Sequence, residues 1–295
     1  RKLKRENNLD FLPGQIVVSN GAKHALANVI QVVVDKGDEV IIPAPYWVTY
    51  VDLVNYSEGI SVILETSVES DFKITPEQLQ AAITPKTKAF LFSSPSNPTG
   101  SVYSREELKA FAEIFAQHPG IIVISDEIYE HIIYGKSFES IASFPEIRDR
   151  VVIINGVSKS CAMTGYRIGF LAAPLWIAKA CNKLQSQFTS GPNSPAQIAS
   201  VAAFDHDGAE VRKMVARFEQ RRDLVMEMLA RIPGLKTSKP DGAFYVFPDC
   251  SSYFGKTDGE MFIHNSDDFC FFLLSKAHVG VVSGDAFGAP GCFRL

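Results

Sequence analysis

Val151-Val152-Ile153-Ile154-Asn155-Gly156-Val157-Ser158-Lys159 opens as a run of branched apolar residues and leaves it through small ones into a lysine. The apolar run reads as a buried strand. A lysine that leaves such a strand through small residues is held by packed backbone while its amine points into a cleft, as a lysine that condenses with a carbonyl compound requires. Eight residues on stands Arg167, whose planar donor fork suits a phosphate. A lysine in a loop is otherwise just a solvated residue, so the weight rests on the rest of the chain.

Outward from this stretch, short apolar runs alternate with longer helical patterns. Residues 16–19, 39–42, 62–64, 89–92, 121–125, 151–154 and 168–172 read as strands, and residues 22–35, 75–82 and 104–117 as helices. Thr75-Pro76-Glu77-Gln78 and Ser104-Arg105-Glu106-Glu107 are helix starts, each with a hydroxyl to cap the first N–H groups and acids in the first turn. Strands separated by helices make an α/β fold with a mostly parallel sheet covered on both faces, whose ligands gather beyond the strands' carboxyl ends. From about Asp207 the pattern changes to a long charged helix, residues 211–232, ended by Pro233-Gly234. A strand at 242–247, a helix at 267–276 and strands at 279–282 and near Arg294 then read as a smaller α+β domain.

The chain has 295 residues, 46% of them hydrophobic, enough for a large core and for two domains or one big one. Its net charge of -4 argues against a nucleic-acid or anionic-membrane surface. The densest apolar run, residues 269–274, is far shorter than the about 18 residues of a membrane span. Five scattered cysteines without a Cys-x-x-Cys pair point away from a disulfide framework or zinc site and toward a reducing compartment. Six dispersed histidines form no metal motif, and His24 and His131 read as structural. Neither a Gly-x-Gly-x-x-Gly nor a Walker-type loop is present.

Four further strand ends bear on chemistry. Asp126 follows the strand at 121–125, with Tyr129 three residues later; it is either a helix cap or a carboxylate placed to pair with a protonated ring nitrogen. Asn97, in Ser96-Asn97-Pro98-Thr99-Gly100, is a turn former whose amide is equally able to donate to a ring oxygen. Trp47, after Pro45-Tyr46, is either core or a stacking platform. Asn20-Gly21-Ala22-Lys23 is a tight strand-to-helix turn whose helix N-terminus suits a phosphate.

The order Gly21-Ala22-Lys23, Trp47, Asn97-Pro98-Thr99-Gly100, Asp126 with Tyr129, Ser158-Lys159, Arg167 and finally Arg294 resembles the class I aminotransferases, fold-type I enzymes that use pyridoxal 5'-phosphate (PLP). Pro43-Ala44-Pro45-Tyr46-Trp47, Ser94 to Gly100 and Ser125-Asp126-Glu127-Ile128-Tyr129-Glu130-His131 are most similar to the subgroup holding plant and bacterial aspartate and prephenate aminotransferases. The resemblance implies a large PLP-binding domain at residues 1–220 and a small domain at 221–295. Lys159 would hold the cofactor covalently and, once freed, carry a proton to or from the substrate α-carbon. Asp126 would pair with the ring nitrogen, Asn97 and Tyr129 with the ring oxygen, and Trp47 would stack on the ring. Arg167, with backbone N–H groups beside Gly21, at Ala22 and Lys23, would bind the phosphate, and Arg294 the substrate carboxylate. Lys23 would also recognise a second acidic group on aspartate, glutamate, oxaloacetate, 2-oxoglutarate or prephenate, with Trp47 and Asn97 beside the substrate.

The chain departs from the family pattern in places. Gly156 stands where several relatives have a phosphate-binding serine, with Ser158 as a substitute. The family's N-terminal segment and C-terminal helix would lie outside residues 1–295, so the chain reads as a fragment. The resemblance further implies a homodimer, with residues 185–197 as a partner-contacting loop, and a plastid or cytoplasmic home, the plastid resting on the plant enzymes alone. A PLP lyase, a synthase like those making aminocyclopropane carboxylate, and an inactive truncated subunit stay open as alternatives.

Overall fold

The computed structural model describes residues 1–206 and 208–295; Asp207, where the sequence pattern changes, lies outside them. Helix α1 (Lys2–Asn7) leads into strand β1 (Ile16–Ser19), helix α2 (Ala22–Val33), β2 (Glu39–Pro43), α3 (Thr49–Tyr56) and β3 (Ile60–Leu64). Then come α4 (Pro76–Ala82), β4 (Thr87–Ser93), α5 (Arg105–Gln117), β5 (Ile122–Asp126), β6 (Val151–Gly156) and β7 (Gly169–Ala172). Helices α6 (Leu175–Phe188), α7 (Ser194–Asp205), α8 (Ala209–Leu229) and α9 (Ser266–Phe272) follow, with a two-stranded sheet of β8 (Val282–Ser283) and β9 (Phe293–Arg294).

The large sheet has the order β1-β7-β6-β5-β4-β2-β3. Strands β3, β2, β4, β5 and β6 are mutually parallel, and β7 runs antiparallel to both β6 and β1. This is the expected α/β architecture, a mostly parallel sheet under helices. Because side chains alternate along a strand, both faces of β4 are buried: Ala89 and Leu91 join one core with Val29 and Ile30 of α2, while Phe90 and Phe92 join the other with Phe111 and Phe115 of α5. The two helix starts read from sequence form reciprocal caps. Thr75 Oγ1 accepts from the Gln78 N–H at 3.3 Å, and Ser104 Oγ from the Glu107 N–H at 3.2 Å. Each such cap contributes about 1 kcal/mol.

Register places the chemistry. Ser93 pairs with Asp126 and Asp126 with Ile154, while Gly169 opens β7 opposite both Gly156 and Ser19. The last residues of β1, β4, β5 and β6 therefore share one edge, and the four loops leaving them converge.

Several sequence expectations need correction. Residues 242–247 form no strand, only an isolated bridge from Gly242 to Ile133, because Ala243 takes a left-handed backbone (φ 54°) that ends the extended run. The strand expected at 279–282 shrinks to Val282–Ser283, after a left-handed His278 (φ 57°). The helix expected at 267–276 is α-helical over Ser266–Phe272 and π-helical over Leu273–Ala277. The long charged helix ends at Leu229 rather than Ile232. Residues 185–197 are less a loop than the end of α6, a turn and the start of α7, which Asn193 caps by accepting from the Ala196 N–H at 3.0 Å. Among the described residues no helix is long and apolar enough to cross a membrane.

Candidate active site

Asp126, the last residue of β5, is sealed from solvent at 4% exposure. Its Oδ2 accepts from the Tyr50 hydroxyl at 2.9 Å and its Oδ1 from the Ile128 N–H at 3.2 Å. Burial pushes the carboxyl up to about 6, against the opposing pull of these two donors and of the Lys159 charge. Lys159, three residues beyond β6, is half-buried, with its Nζ 5.6 Å from the ring centre of Tyr129 and 5.7 Å from that of Phe244. Burial lowers the proton affinity of its amine; Asp126 opposes this, and Arg294 and Arg167 add to it.

Tyr129 is buried, and its hydroxyl shares a 2.7 Å hydrogen bond with that of Tyr245. Burial holds its phenol well above the usual range, so it is a neutral donor. Asn97 lies in the loop after β4, where its Oδ1 accepts from Arg294 Nη1 at 2.8 Å. That bond orients the amide and leaves its hydrogens for another acceptor. The Arg294 guanidinium lies over Tyr245 at 4.6 Å and Phe287 at 4.8 Å, rings that fix its plane. Trp47 meets Tyr50 edge-on at 5.8 Å and carries the exposed Lys23 ammonium 4.8 Å from its ring centre.

The turn between β1 and α2 makes a cup. Gly21 has φ 91°, and a Cβ there would run into the Arg167 guanidinium. A Cβ on Gly169 would strike the backbone of Gly21 and Ala22. Glycine at both positions lets Arg167 lie across the start of α2, where the first helical N–H groups have no partner within the helix. Arg167 Nη1 donates to the Thr164 carbonyl at 2.8 Å and Nη2 to that of Asn20 at 3.4 Å. Gly156 answers to the same crowding: a Cβ there would come within 2.7 Å of the Ile168 carbonyl oxygen.

Ala22, Lys23, Trp47, Asn97, Asp126, Tyr129, Ser158, Lys159, Arg167 and Arg294 all line one cavity of ≈ 340 Å³. Gly21 stands behind Arg167 rather than in the wall. Tyr50, Ser93, Thr164 and Tyr245 line it too, and sequence reasoning missed them. Tyr50 stands three residues after Trp47 in the first turn of α3, a helix that the sequence reading left unassigned. Tyr245 was hidden in the stretch misread as a strand. The wall bears four cationic side chains (Lys23, Lys159, Arg167 and Arg294) against one carboxylate, an arrangement for a polyanionic ligand. His24 stays local, its Nδ1 accepting from the Asn20 N–H at 3.2 Å.

The family model for class I and II aminotransferases matches residues 1–295. The chain is 49% identical to a bifunctional aspartate aminotransferase and glutamate/aspartate-prephenate aminotransferase of Petunia hybrida, and 45% identical to an aspartate/prephenate aminotransferase of Nitrosomonas europaea. Both alignments take in 100% of this chain; it spans 62% of the first relative's length and 75% of the second's. The crystal structure of an aspartate aminotransferase from Rhizobium meliloti superposes with a TM-score of 0.96 at 43% identity, over 100% of this chain and 74% of that one. A strand-end lysine, a sealed aspartate and a glycine-lined anion cup on this sheet thus agree with the whole-chain match, and the chain belongs to the class I and II aminotransferases, the PLP-dependent enzymes of fold type I.

Proposed function

We propose that this chain transfers an amino group between an amino acid and a 2-oxo acid, with aspartate or glutamate as donor and oxaloacetate, 2-oxoglutarate or prephenate as acceptor. The observation that carries this reading is that the Lys159 amine, the Asp126 carboxylate and the Arg294 guanidinium all face one cation-rich cavity. The names of the petunia and Nitrosomonas relatives support the substrates and favour transamination over lyase or synthase chemistry.

The residues present fit PLP. A carboxylate buried without a full counter-charge calls for a cationic partner, which a protonated pyridine nitrogen supplies. The cup of Arg167 and the start of α2, kept open by Gly21 and Gly169, fits a phosphate. Asn97 and Tyr129 would donate to the ring oxygen, Trp47 would cover the ring, and Ser158 would stand beside the phosphate. When bound, the cofactor supplies an electron sink for the pair left at the substrate α-carbon as its proton departs.

The chain's own residues do the rest. Lys159, its proton affinity lowered, holds a larger share of free amine near neutral pH and so can take and return that proton at Nζ. Asp126 stays in place through Tyr50 and Ile128. Arg294 grips the substrate carboxylate in the plane fixed by Tyr245 and Phe287, which decides which α-carbon bond faces the ring. Lys23, on the cavity rim over Trp47, meets a second acidic group.

We also read the chain as half of a homodimer. Phe188, Ile198 and Val201 are 71%, 72% and 60% exposed on α6 and α7. A hollow lined by Asn20, Tyr166, Arg167, Asn193 and Pro195 carries the rim of the site onto the start of α7. Apolar surface continuous with an open active site suits an isologous contact.

Four measurements test these readings. Borohydride reduction of the PLP-loaded protein followed by peptide mapping should find the pyridoxyl group on Lys159, and Lys159→Ala should bind PLP noncovalently without turnover; the label on another lysine would end the assignment. Tyr50→Phe removes a donor that favours the Asp126 carboxylate, so the carboxyl should titrate above about 6, by roughly 1–2 units for a charge-assisted bond of ~1.5–3 kcal/mol. Carbon NMR of the cofactor-free protein reads this directly, and an unmoved titration would show that Tyr50 does not tune Asp126. Lys23→Ala should lower kcat/KM for dicarboxylates and prephenate about 10- to 150-fold while sparing monocarboxylates; equal losses would make Lys23 a cofactor or structural residue. Light scattering at assay concentration should give a dimer, and a fully active monomer would contradict it.

A further inference from the structure

Behind the cavity lies a buried polar knot that the proposed mechanism does not use. Lys2, on the six-residue helix α1, is only 8% exposed, and its ammonium bonds Glu130 Oε1 and, at 2.9 Å, Asn7 Oδ1. Glu130, 5% exposed, accepts from Asn7 Nδ2 at 2.8 Å on Oε2 and from Asn155 Nδ2 at 2.8 Å on Oε1. Asn155, 1% exposed, turns its Oδ1 back to accept from the Gly156 N–H at 2.7 Å. Glu130 directly follows Tyr129, and Asn155-Gly156 ends β6 just ahead of Ser158-Lys159. One carboxylate thus joins the two loops that carry the tyrosine and the lysine.

The cluster is not a metal site. Glu6, Glu130 and His131 place ligand atoms within 4.8 Å of one another. His131, however, meets Glu6 through Nε2 at 2.9 Å and Glu130 through Nδ1 at 3.6 Å, nitrogens on different sides of the ring. Lys2 already serves as the cation, with Glu6 Oε2 at 3.4 Å and Glu130 closer still. Stability is also a poor explanation, since dehydrating a buried Lys–Glu pair roughly cancels its attraction. What three directional bonds on one carboxylate do provide is position.

We propose that Glu130 and Asn155 are positioning residues: the carboxylate, anchored by Lys2 and Asn7, ties the end of β6 to the Asp126–Tyr129 turn and so sets where Lys159 stands relative to Tyr129. The inference rests on the role of Lys159 argued above. Neither residue touches the cavity; both act through the backbone they hold.

The test uses the PLP-loaded protein with Asn155→Asp, Glu130→Gln and the double variant, which exchanges acid and amide. Asn155→Asp sets two carboxylates against each other. It should lower kcat about 10- to 100-fold, the cost of misplacing a catalytic group by about 1 Å, and change the visible circular dichroism of the lysine-bound cofactor. KM should stay within about twofold, as expected when substrate binding is untouched. The double variant should recover most of kcat and the wild-type dichroism. Single variants that only lower the melting temperature, or a double variant no better than the worse single, would overturn the proposal. If Asn155→Asp does not fold, Lys2→Met takes its place: a lowered kcat with altered dichroism supports the proposal, and a lowered melting temperature alone overturns it. Wild-type protein with no cofactor on Lys159 would instead defeat the functional reading itself.

Discussion

Asp126 is a carboxylate taken out of water at the end of a central strand, with two neutral donors in place of a counter-ion. Burying a charge this way costs several kcal/mol unless it finds a partner, so the charged form is held in check and the group titrates near about 6. The same dry surroundings act on Lys159 with the opposite sign, since burial disfavours charge on an amine as well. An acid pushed up and a base pushed down, facing one cavity, are drawn toward neutral pH from both sides. Much of the rest of the structure serves to keep these two groups dry and fixed.

The sheet provides the fixing. In a parallel arrangement successive strands all end on the same edge, so loops far apart in sequence meet without any long excursion. Convergence has a steric consequence, because loops that meet must also pass one another. Gly156 and Gly169 sit where backbones come too close for a Cβ, and Gly21 where the Arg167 guanidinium does. Their absence of side chain is what allows Arg167, which follows a short helical turn at Thr164–Tyr166, to reach across to the start of α2.

Why some of this could be read from sequence and some not follows from the physics of each segment. Buried parallel strands are continuous apolar runs, and Thr87–Ser93, Ile122–Asp126 and Val151–Gly156 stand out on that basis alone. Helices α4 and α5 announce themselves by side-chain caps. Helix α3 does neither: Thr49–Tyr56 is rich in branched and aromatic residues and starts at Val48 without a side-chain cap, so local propensity points to a strand. Residues 242–247 mislead in the other direction, since their alternation is real but a left-handed Ala243 breaks the extended path. The candidate site residues that were legible, such as Lys159, Asp126 and Asn97, sit at strand ends. Tyr50 and Tyr245 were not, because one lies on a helix that the sequence reading left unassigned and the other in a segment misread as a strand.

Charge distribution completes the picture. The chain carries a net charge of -4, yet its cavity presents four cations to one carboxylate, so the local field opposes the global one. The cations differ in depth. Lys23 and Arg167 are exposed, where solvent and salt screen them, and their main effect is to draw an anion toward the opening. Arg294 and Lys159 are partly buried, where the effective dielectric is lower and each charge acts more strongly on what it touches. An incoming anion therefore meets a weak, broad attraction first and a strong, directional one second. Since Asn97 and two aromatic rings fix Arg294 in advance, little of that second interaction is spent on ordering the guanidinium.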